Sequence, residues 1–435
     1  MSATSGTRQQ VRLAYGETGL TIEVDPERTT VVTPVVRAGA PDVAATLRDA
    51  LQHPVAGPPL REVVRPGQQI AVSICDLTRP QPREAMLRAL FAELEGISSR
   101  DDFTILVATG THRANTDAEL RSMLGDELVD TMRIINHVGR DPSTLTYRGV
   151  FGNGVPVWLN TLWCEADVRI TTGFVEPHFF AGFSGGGKLV APGLAGLETV
   201  LTLHDAARIG SEKATWAVCE GNPVHDDVRA IAVGTGVDFA FDVVLNADKQ
   251  VISAFAGEIL EMHAAAREQV RAISMRPVDQ LFDVVVTTNS GYPLDQNLYQ
   301  SVKGMSAAAT IVKPGGLIIC AAECRDGFPD HGSFREELTS GDSPQELLDM
   351  ISAREKTVDD QWEIQVLARV QVLARVGVHS DYLDEEALQS ANLFSVPDIS
   401  AAIAAELAAV GPDARACILP EGPQTIPYVA SDVLV

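Results

Sequence analysis

"QIAVSICDLTRP", residues 69–80, decides the fold. Six apolar or small residues from Ile70 to Cys75 make a run short enough for a buried strand, and the polar Asp76, Thr78 and Arg79 follow at once. Pro80 and Pro82 stiffen the exit. Three further runs repeat the pattern: "DFTILVATG" (102–110), "MRIINHV" (132–138) and "DVRITTGFV" (167–175). Between them, "PREAMLRALFAELEG" and "TDAELRSMLGDEL" carry helical spacing, the second opened by Thr116 with Glu119 as a capping box. Strands alternating with helices predict a parallel α/β sheet, with ligands at the carboxyl ends of its strands.

A chain of 435 residues exceeds one ordinary core and predicts two α/β domains with mainly parallel sheets. "LFDVVVTTNS" (281–290) and "AATIVKPGGLIICAAEC" (307–324) open the second, after the helical "ILEMHAAAREQVRAISM". The boundary is set at 275, giving domains 1–275 and 276–435, with the segment at about 83–97 a candidate to pack on the other domain. The tandem hexapeptide "QVLARVQVLARV" (365–376) reads as one helix, its apolar face at 366, 367, 370, 373 and 376.

Asp and Glu outnumber Lys and Arg by 58 to 34, and the net charge of −24 argues against nucleic acid and anionic membranes as partners. A small-molecule ligand fits better. The six cysteines lie mostly in apolar runs without a C-x-x-C pair, as expected of free thiols in a reducing compartment. The polar amino terminus and the absence of a long apolar run point to a cytoplasmic protein.

Four polar clusters carry candidate chemistry. The first is Asp76, Thr78 and Arg79; the second is His112 in "ATGTHRANT", at a strand end. The third runs from "EPHFFAGFSGGGKLVAPG" to His204 and supplies His178, Ser184, Gly185, Gly186, Gly187 and Lys188. The fourth is "YPLDQNLYQSVKG", where Tyr299 and Lys303 share a helical face beside Gln300. Gly182-x-x-x-x-Gly187-Lys188 meets the phosphate-loop pattern only up to Leu189, where a Ser or Thr would hold Mg²⁺. Neither a β-branched strand before it nor a helix after it supports nucleotide hydrolysis, since Pro192 follows within a turn. Zinc hydrolysis through His112, His178 and His204 is a second alternative, without any H-x-x-x-H spacing behind it.

As a set, "DLTRP", "ATGTHR", "EPHFFAGFSGGGKLVAPGLAG" followed by "LH", and "YPLDQNLYQSVKG" resemble the nickel-pincer lactate racemase family, in the same order over most of the chain. The resemblance implies a 2-hydroxy acid racemase with its active site in the cleft between two α/β domains, the first of them anchoring the cofactor. It also implies a nickel-pincer nucleotide, the nickel complex of pyridinium-3,5-bisthiocarboxylic acid mononucleotide, supplied by cofactor-biosynthesis proteins. Lys188 then resembles the covalent anchor, His204 the nickel ligand, and His112 and His178 the paired acid/bases. Arg79, Tyr299, Gln300 and Lys303 match substrate-binding positions, and Asp76, Thr78, Ser184 and glycines 185–187 match cofactor-binding ones.

The chemistry agrees with those roles. Removing a Cα proton beside an ionised carboxylate would create a dianion-like state, whereas removing hydride leaves a neutral ketone. Hydride removal needs an electrophilic carbon from a cofactor and a base for the hydroxyl, and two enantiomers need two bases. Histidines suit that task near neutral pH. Arg83, one turn beyond Arg79, is a candidate for a second carboxylate, favouring a malate-like acid, or else a surface residue at a helix start. Phe328 and His331 are candidate pocket residues, and a non-catalytic cofactor-binding protein is the alternative from another class.

Overall fold

The structure, a computed structural model, describes residues 8–329 and 332–430. The chain divides into two compact units, one of Val36–Ile273 and one joining the residues up to Val35 with those from Ser274 onward.

The Val36–Ile273 unit is built on a six-stranded sheet. Its order is Val251–Gly257, Phe239–Leu245, Val168–Phe174, Ile70–Cys75, Phe103–Ala108, Arg133–Asn136. All neighbours are parallel except the edge strand Val251–Gly257, which returns antiparallel. The four strands expected from the sequence lie within a residue or two of their expected bounds; three are largely buried runs, whereas the edge strand Arg133–Asn136 is only partly buried.

Side chains alternate between the two faces of this sheet. Val72, Ile74, Ile105, Val107 and Phe241 enter one core with Leu47, Met86, Leu90 and Leu128 from covering helices. Ala71, Leu106 and Ala240 enter another with Trp163, Leu203, Ile231 and Met262. Helices therefore cover both faces, and the order in space reverses direction between Ile70–Cys75 and Val168–Phe174. In such a doubly wound sheet the crevice at that reversal, beyond the strands' carboxyl ends, is where ligands bind.

The helix Arg83–Glu93 buries Met86, Leu87 and Leu90 in the first of these cores. The 83–97 segment thus belongs to this unit, and not to the other domain. Thr116 caps its helix as expected, accepting from Glu119 N–H at 3.3 Å while the Glu119 carboxylate accepts from Thr116 N–H at 2.7 Å.

The other unit holds a wholly parallel sheet ordered Phe394–Ser395, Arg375–His379, Val312–Ala321, Phe282–Thr288, Ala416–Leu419, Thr29–Val31. Its last strand corrects the expected division at 275. Thr29–Val31 pairs with Ala416–Ile418, and the hairpin Gln9–Leu13/Leu20–Val24 buries Leu13 and Ile22 against Ile399, Ile403 and Leu407. Residues 8–35 are therefore part of the later unit.

The tandem hexapeptide is not one helix. The helix Gln361–Leu373 contains the first copy, but Ala374 leaves it and Arg375–Val376 already belong to a strand. Pairing of Val376 beside Ile318 overrides the helical propensity of the second copy.

Candidate active site

Three loops of the Val36–Ile273 unit meet at the carboxyl ends of its central strands. Ser73 Oγ donates to Leu189 O at 2.7 Å, and Gly110 N–H donates to Gly193 O at 2.9 Å. These bonds tie the loop after Phe174 to the strand Ile70–Cys75 and to the loop after Ala108.

In the first loop Asp76 is buried, and its carboxylate is fully used. One oxygen accepts from Thr78 N–H (3.2 Å) and Thr78 Oγ (2.7 Å); the other accepts from His112 Nδ1 at 2.7 Å. Burial pulls the carboxyl upward, but the His112 bond, the charges of His112 and Arg79 and the Thr78 bond together hold it below its ordinary value. Because a carboxylate can only accept, Nδ1 of His112 carries the hydrogen and Nε2 keeps a lone pair in the neutral ring. The His112 side chain is half exposed.

Arg83 is neither a surface residue nor open to a second carboxylate. It is 6% exposed and donates to the carbonyls of Cys75 (2.7 Å), Gln81 (3.1 Å), Arg79 (2.5 Å) and Asp76. Gln81 adds a second strut, accepting from Cys75 N–H at 2.7 Å and donating to Thr172 Oγ at 2.8 Å. Interior donors thus fold the Asp76–Arg79 turn, and the Arg79 side chain is left at its rim, partly exposed.

The third loop gathers its groups around Phe180. His178 meets that ring edge-on with centroids 4.5 Å apart, His204 meets it at 5.3 Å, and Lys188 Nζ lies 5.8 Å from its centre. Nδ1 of His178 faces the amides of Phe180 and Ala181 at 3.5 and 3.3 Å, so the hydrogen of its neutral ring sits on Nε2. His204 has the opposite tautomer: Nδ1 donates to Val200 O at 2.7 Å, leaving the lone pair on Nε2. Burial, with the Lys188 charge adding to it, pushes His204 down to about 4, so its ring is neutral at pH 7.

The glycines are crowded from within the protein. A Cβ on Gly185 would lie 2.5 Å from Asp242 Oδ2, one on Gly186 would lie 2.8 Å from the His263 ring, and both residues have positive φ. Asp242, wholly buried on the strand Phe239–Leu245, accepts from Gly186 N–H at 2.7 Å. Burial raises its carboxyl to about 7 against the opposing pull of that amide. Ser184 uses its hydroxyl to donate to Phe174 O and to accept from Glu176 N–H, holding the turn closed.

Sequence reasoning missed Phe180, Asp242 and His263. Only Asp242 left a signal, as a lone acid in the apolar run "FAFDVVL".

In the other unit, Tyr299, Gln300 and Lys303 lie on the helix Leu298–Ala309, capped by Asn297. Lys303 Nζ donates to Gln300 Oε1 at 2.8 Å, and Trp362 Nε1 donates to Tyr299 OH at 3.3 Å. Phe328 packs against Phe334, which meets Tyr299 edge-on. His331 lies outside the described residues.

Among the described residues no three His, Cys, Asp or Glu side chains are grouped so as to hold a metal. The zinc reading of His112, His178 and His204 therefore has no donor set behind it. No helix of the described residues is long and apolar enough to cross a membrane.

Residues 15–217 match the family model described as the lactate racemase N-terminal domain, and residues 278–426 match that of the lactate racemase C-terminal domain. The chain is 32% identical to a lactate racemase of Thermoanaerobacterium thermosaccharolyticum, covering 96% of this chain and 98% of that one. It is 36% identical to a lactate racemase of Lactiplantibacillus plantarum, over 87% and 89% of the two chains. The solved structure of the T. thermosaccharolyticum lactate racemase apoprotein superposes with a TM-score of 0.89 at 31% identity, covering 97% of this chain and 100% of that one.

Proposed function

The chain belongs to the lactate racemase family, a family of isomerases, and from that premise we propose that it racemises a small 2-hydroxy acid, lactate or a close relative, with a nickel-pincer nucleotide. The observation that carries the reading is the pairing of tautomers: His112 offers a lone pair at Nε2 and His178 a hydrogen at Nε2. The first is ready to take the hydroxyl proton and the second to donate a hydrogen bond to the substrate oxygen.

The residues fit the cofactor. His204 is a neutral imidazole whose second nitrogen is fixed by a backbone carbonyl, the arrangement a metal-binding histidine needs. A single protein donor would suffice if sulfur and carbon donors came from the cofactor, a soft set suited to nickel. Lys188, beside the same Phe180 ring, is the proposed covalent anchor. Asp76, Thr78, Ser184 and glycines 185–187 shape the seat in this reading. When bound, the cofactor supplies the electrophilic carbon that accepts and returns the Cα hydride.

The protein's own part is proton transfer and positioning. His112 takes the hydroxyl proton of one enantiomer, and Asp76, bonded to Nδ1, stabilises the imidazolium that forms. For the other enantiomer His178 is proposed to take the hydroxyl proton at Nε2 once its ring hydrogen has moved to Nδ1 and freed that lone pair. Arg79, at the edge of the Asp76 turn, and Lys303 with Gln300 are proposed to hold the substrate carboxylate and oxygen while the keto acid turns. Arg83 is occupied by four carbonyls, which removes the reason to favour a dicarboxylate such as malate. The same reading puts the protein in the cytoplasm, receiving its cofactor from the proteins that build it.

The test is holoprotein incubated with enantiopure 2-hydroxy acids while the Cα configuration is followed, alongside its intact mass and nickel content. Racemisation with a mass adduct on Lys188 and one nickel per chain is the expected result. Nickel and adduct without turnover of any 2-hydroxy acid would indicate the non-catalytic binding protein instead. Zinc without an adduct would sink both.

A further inference from the structure

One carboxyl group stands where the strand around it gives no reason for it. In "FAFDVVL" (239–245) Asp242 is the sole charged residue, wholly buried between the equally buried Phe241 and Val243. The chemistry proposed above does not use it. Among the described residues, the hydrogen bond to its side chain comes from Gly186 N–H to Oδ2 at 2.7 Å, whereas Oδ1 is buried without a partner. We propose that Asp242 is a positioning residue for Lys188, capping from a neighbouring strand the turn that carries this side chain. The inference rests on the reading of Lys188 as the covalent anchor.

The turn needs a cap from elsewhere. Gly186–Leu189 forms a short 3₁₀ turn, and the residue before it, Gly185, has no side chain with which to cap it. The first N–H groups of such a turn have no partner within it, and Gly186 is buried away from water, so the protein itself must supply an acceptor. Asp242 Oδ2 is that acceptor. Lys188 is the third residue of the turn: its N–H donates to Gly185 O at 3.1 Å, and its carbonyl accepts from Gly193 N–H at 3.0 Å. Holding Gly186 therefore fixes the backbone two residues before the amine-bearing side chain.

The surroundings are shaped to this contact. A Cβ on Gly185 would lie 2.5 Å from Oδ2, and one on Gly173 would lie 2.9 Å from Oδ1, so glycines on the turn and on the adjacent strand leave the space that the carboxyl fills. From the other side His263 Nε2 donates to Ser184 O at 2.8 Å, and the entry to the turn is held at a carbonyl as well as at an amide. Stability alone does not ask for a carboxyl here. Burial raises it to about 7, only the amides of Gly186 and Gly173 draw it back, and an apolar residue of similar size would avoid that desolvation. A buried acid kept against its own desolvation marks a place where function needs a fixed geometry.

The test compares the full-length wild type with three variants. Asp242→Val removes the acceptor at similar volume, Asp242→Asn keeps an acceptor oxygen, and Val243→Ala is a stability control in the same strand. In the cofactor-free protein, hydrogen exchange of residues 184–190 should quicken about tenfold or more in Asp242→Val, the worth of one hydrogen bond to a charged group, while exchange in Ile70–Cys75 stays as in the wild type. When the nickel-pincer nucleotide is supplied, the mass adduct on Lys188 should form about tenfold more slowly in Asp242→Val, and Asp242→Asn should recover both readouts to within about threefold. Val243→Ala should change neither, whatever stability it loses. Turn exchange or adduct formation unchanged in Asp242→Val, no recovery in Asp242→Asn, or an equal effect of Val243→Ala overturns the proposal. Should Asp242→Val fail to fold, Asp242→Ser, whose hydroxyl stops short of the amide, takes its place with the same outcomes. A wild type that forms no adduct overturns the reading of Lys188 instead, whereas adduct formed equally fast by wild type and Asp242→Val leaves that reading intact and removes this one.

Discussion

His112 and His204 are the same residue in opposite surroundings. His112 is half exposed, bonded through Nδ1 to a carboxylate that stabilises its charged form. His204 is buried, bonded through Nδ1 to a carbonyl, with Lys188 near enough to oppose its charging. Both keep a lone pair on Nε2, yet one is equipped to hold a proton and the other to refuse it. In the proposed reading that contrast separates the base from the metal ligand.

The strongest way to break the comparison is His204→Ala. In the proposed reading it loses nickel and with it all racemisation, and nickel analysis of the purified variant checks it. His112→Ala should keep nickel and the Lys188 adduct while racemisation drops about 10²- to 10⁴-fold; nickel lost from this variant would contradict the division of roles. Asp76→Asn sharpens it further, since an amide no longer stabilises the imidazolium. We expect a loss of about tenfold or more in kcat with the metal retained.

The buried histidines predict a stability effect in the cofactor-free protein. His263 is held at about 3 in the fold against about 6.5 in an unfolded chain. The fold favours the neutral ring, so stability is full above pH 6.5 and declines as pH falls toward 3, by about 1.4 kcal/mol per pH unit. Urea unfolding between pH 7 and 5 should show at least that slope, because His204 and His225, both held at about 4, add to it in the same direction, and His263→Gln should lower the slope by about 1.4 kcal/mol per pH unit; an unchanged slope would place the titrating group elsewhere. The smallest effect expected is at Thr116→Ala, remote from both histidines, which should cost about 1 kcal/mol of stability and leave racemisation unchanged.

Much of this was legible beforehand for a physical reason. A parallel strand buried on both faces is a continuous apolar run, so Ile70–Cys75, Phe103–Ala108 and Val168–Phe174 announce themselves, as does a capping box closed within four residues. Residues with candidate chemistry then stand where those runs stop. The loops' supports were not legible. Arg83 resembles any helix-start arginine until the carbonyls of residues 75–81 are seen to converge on it, and Asp242 lies 56 residues from the glycine whose amide it accepts.

Local sequence, then, determined the strands, the helix starts, the α/β class and the positions of His112, His178, Lys188 and His204 in loops, because these follow from periodicity and from where apolar runs end. The tertiary structure alone decided which partner each group meets. It carried Thr29–Val31 across the chain to Ala416–Ile418, and it gave two copies of "QVLARV" different conformations because only the second lies beside a strand it can pair with. It also set the two tautomers, since a histidine's proton goes where its neighbour accepts, and that neighbour is a carboxylate 36 residues away for His112 and a carbonyl one turn back for His204.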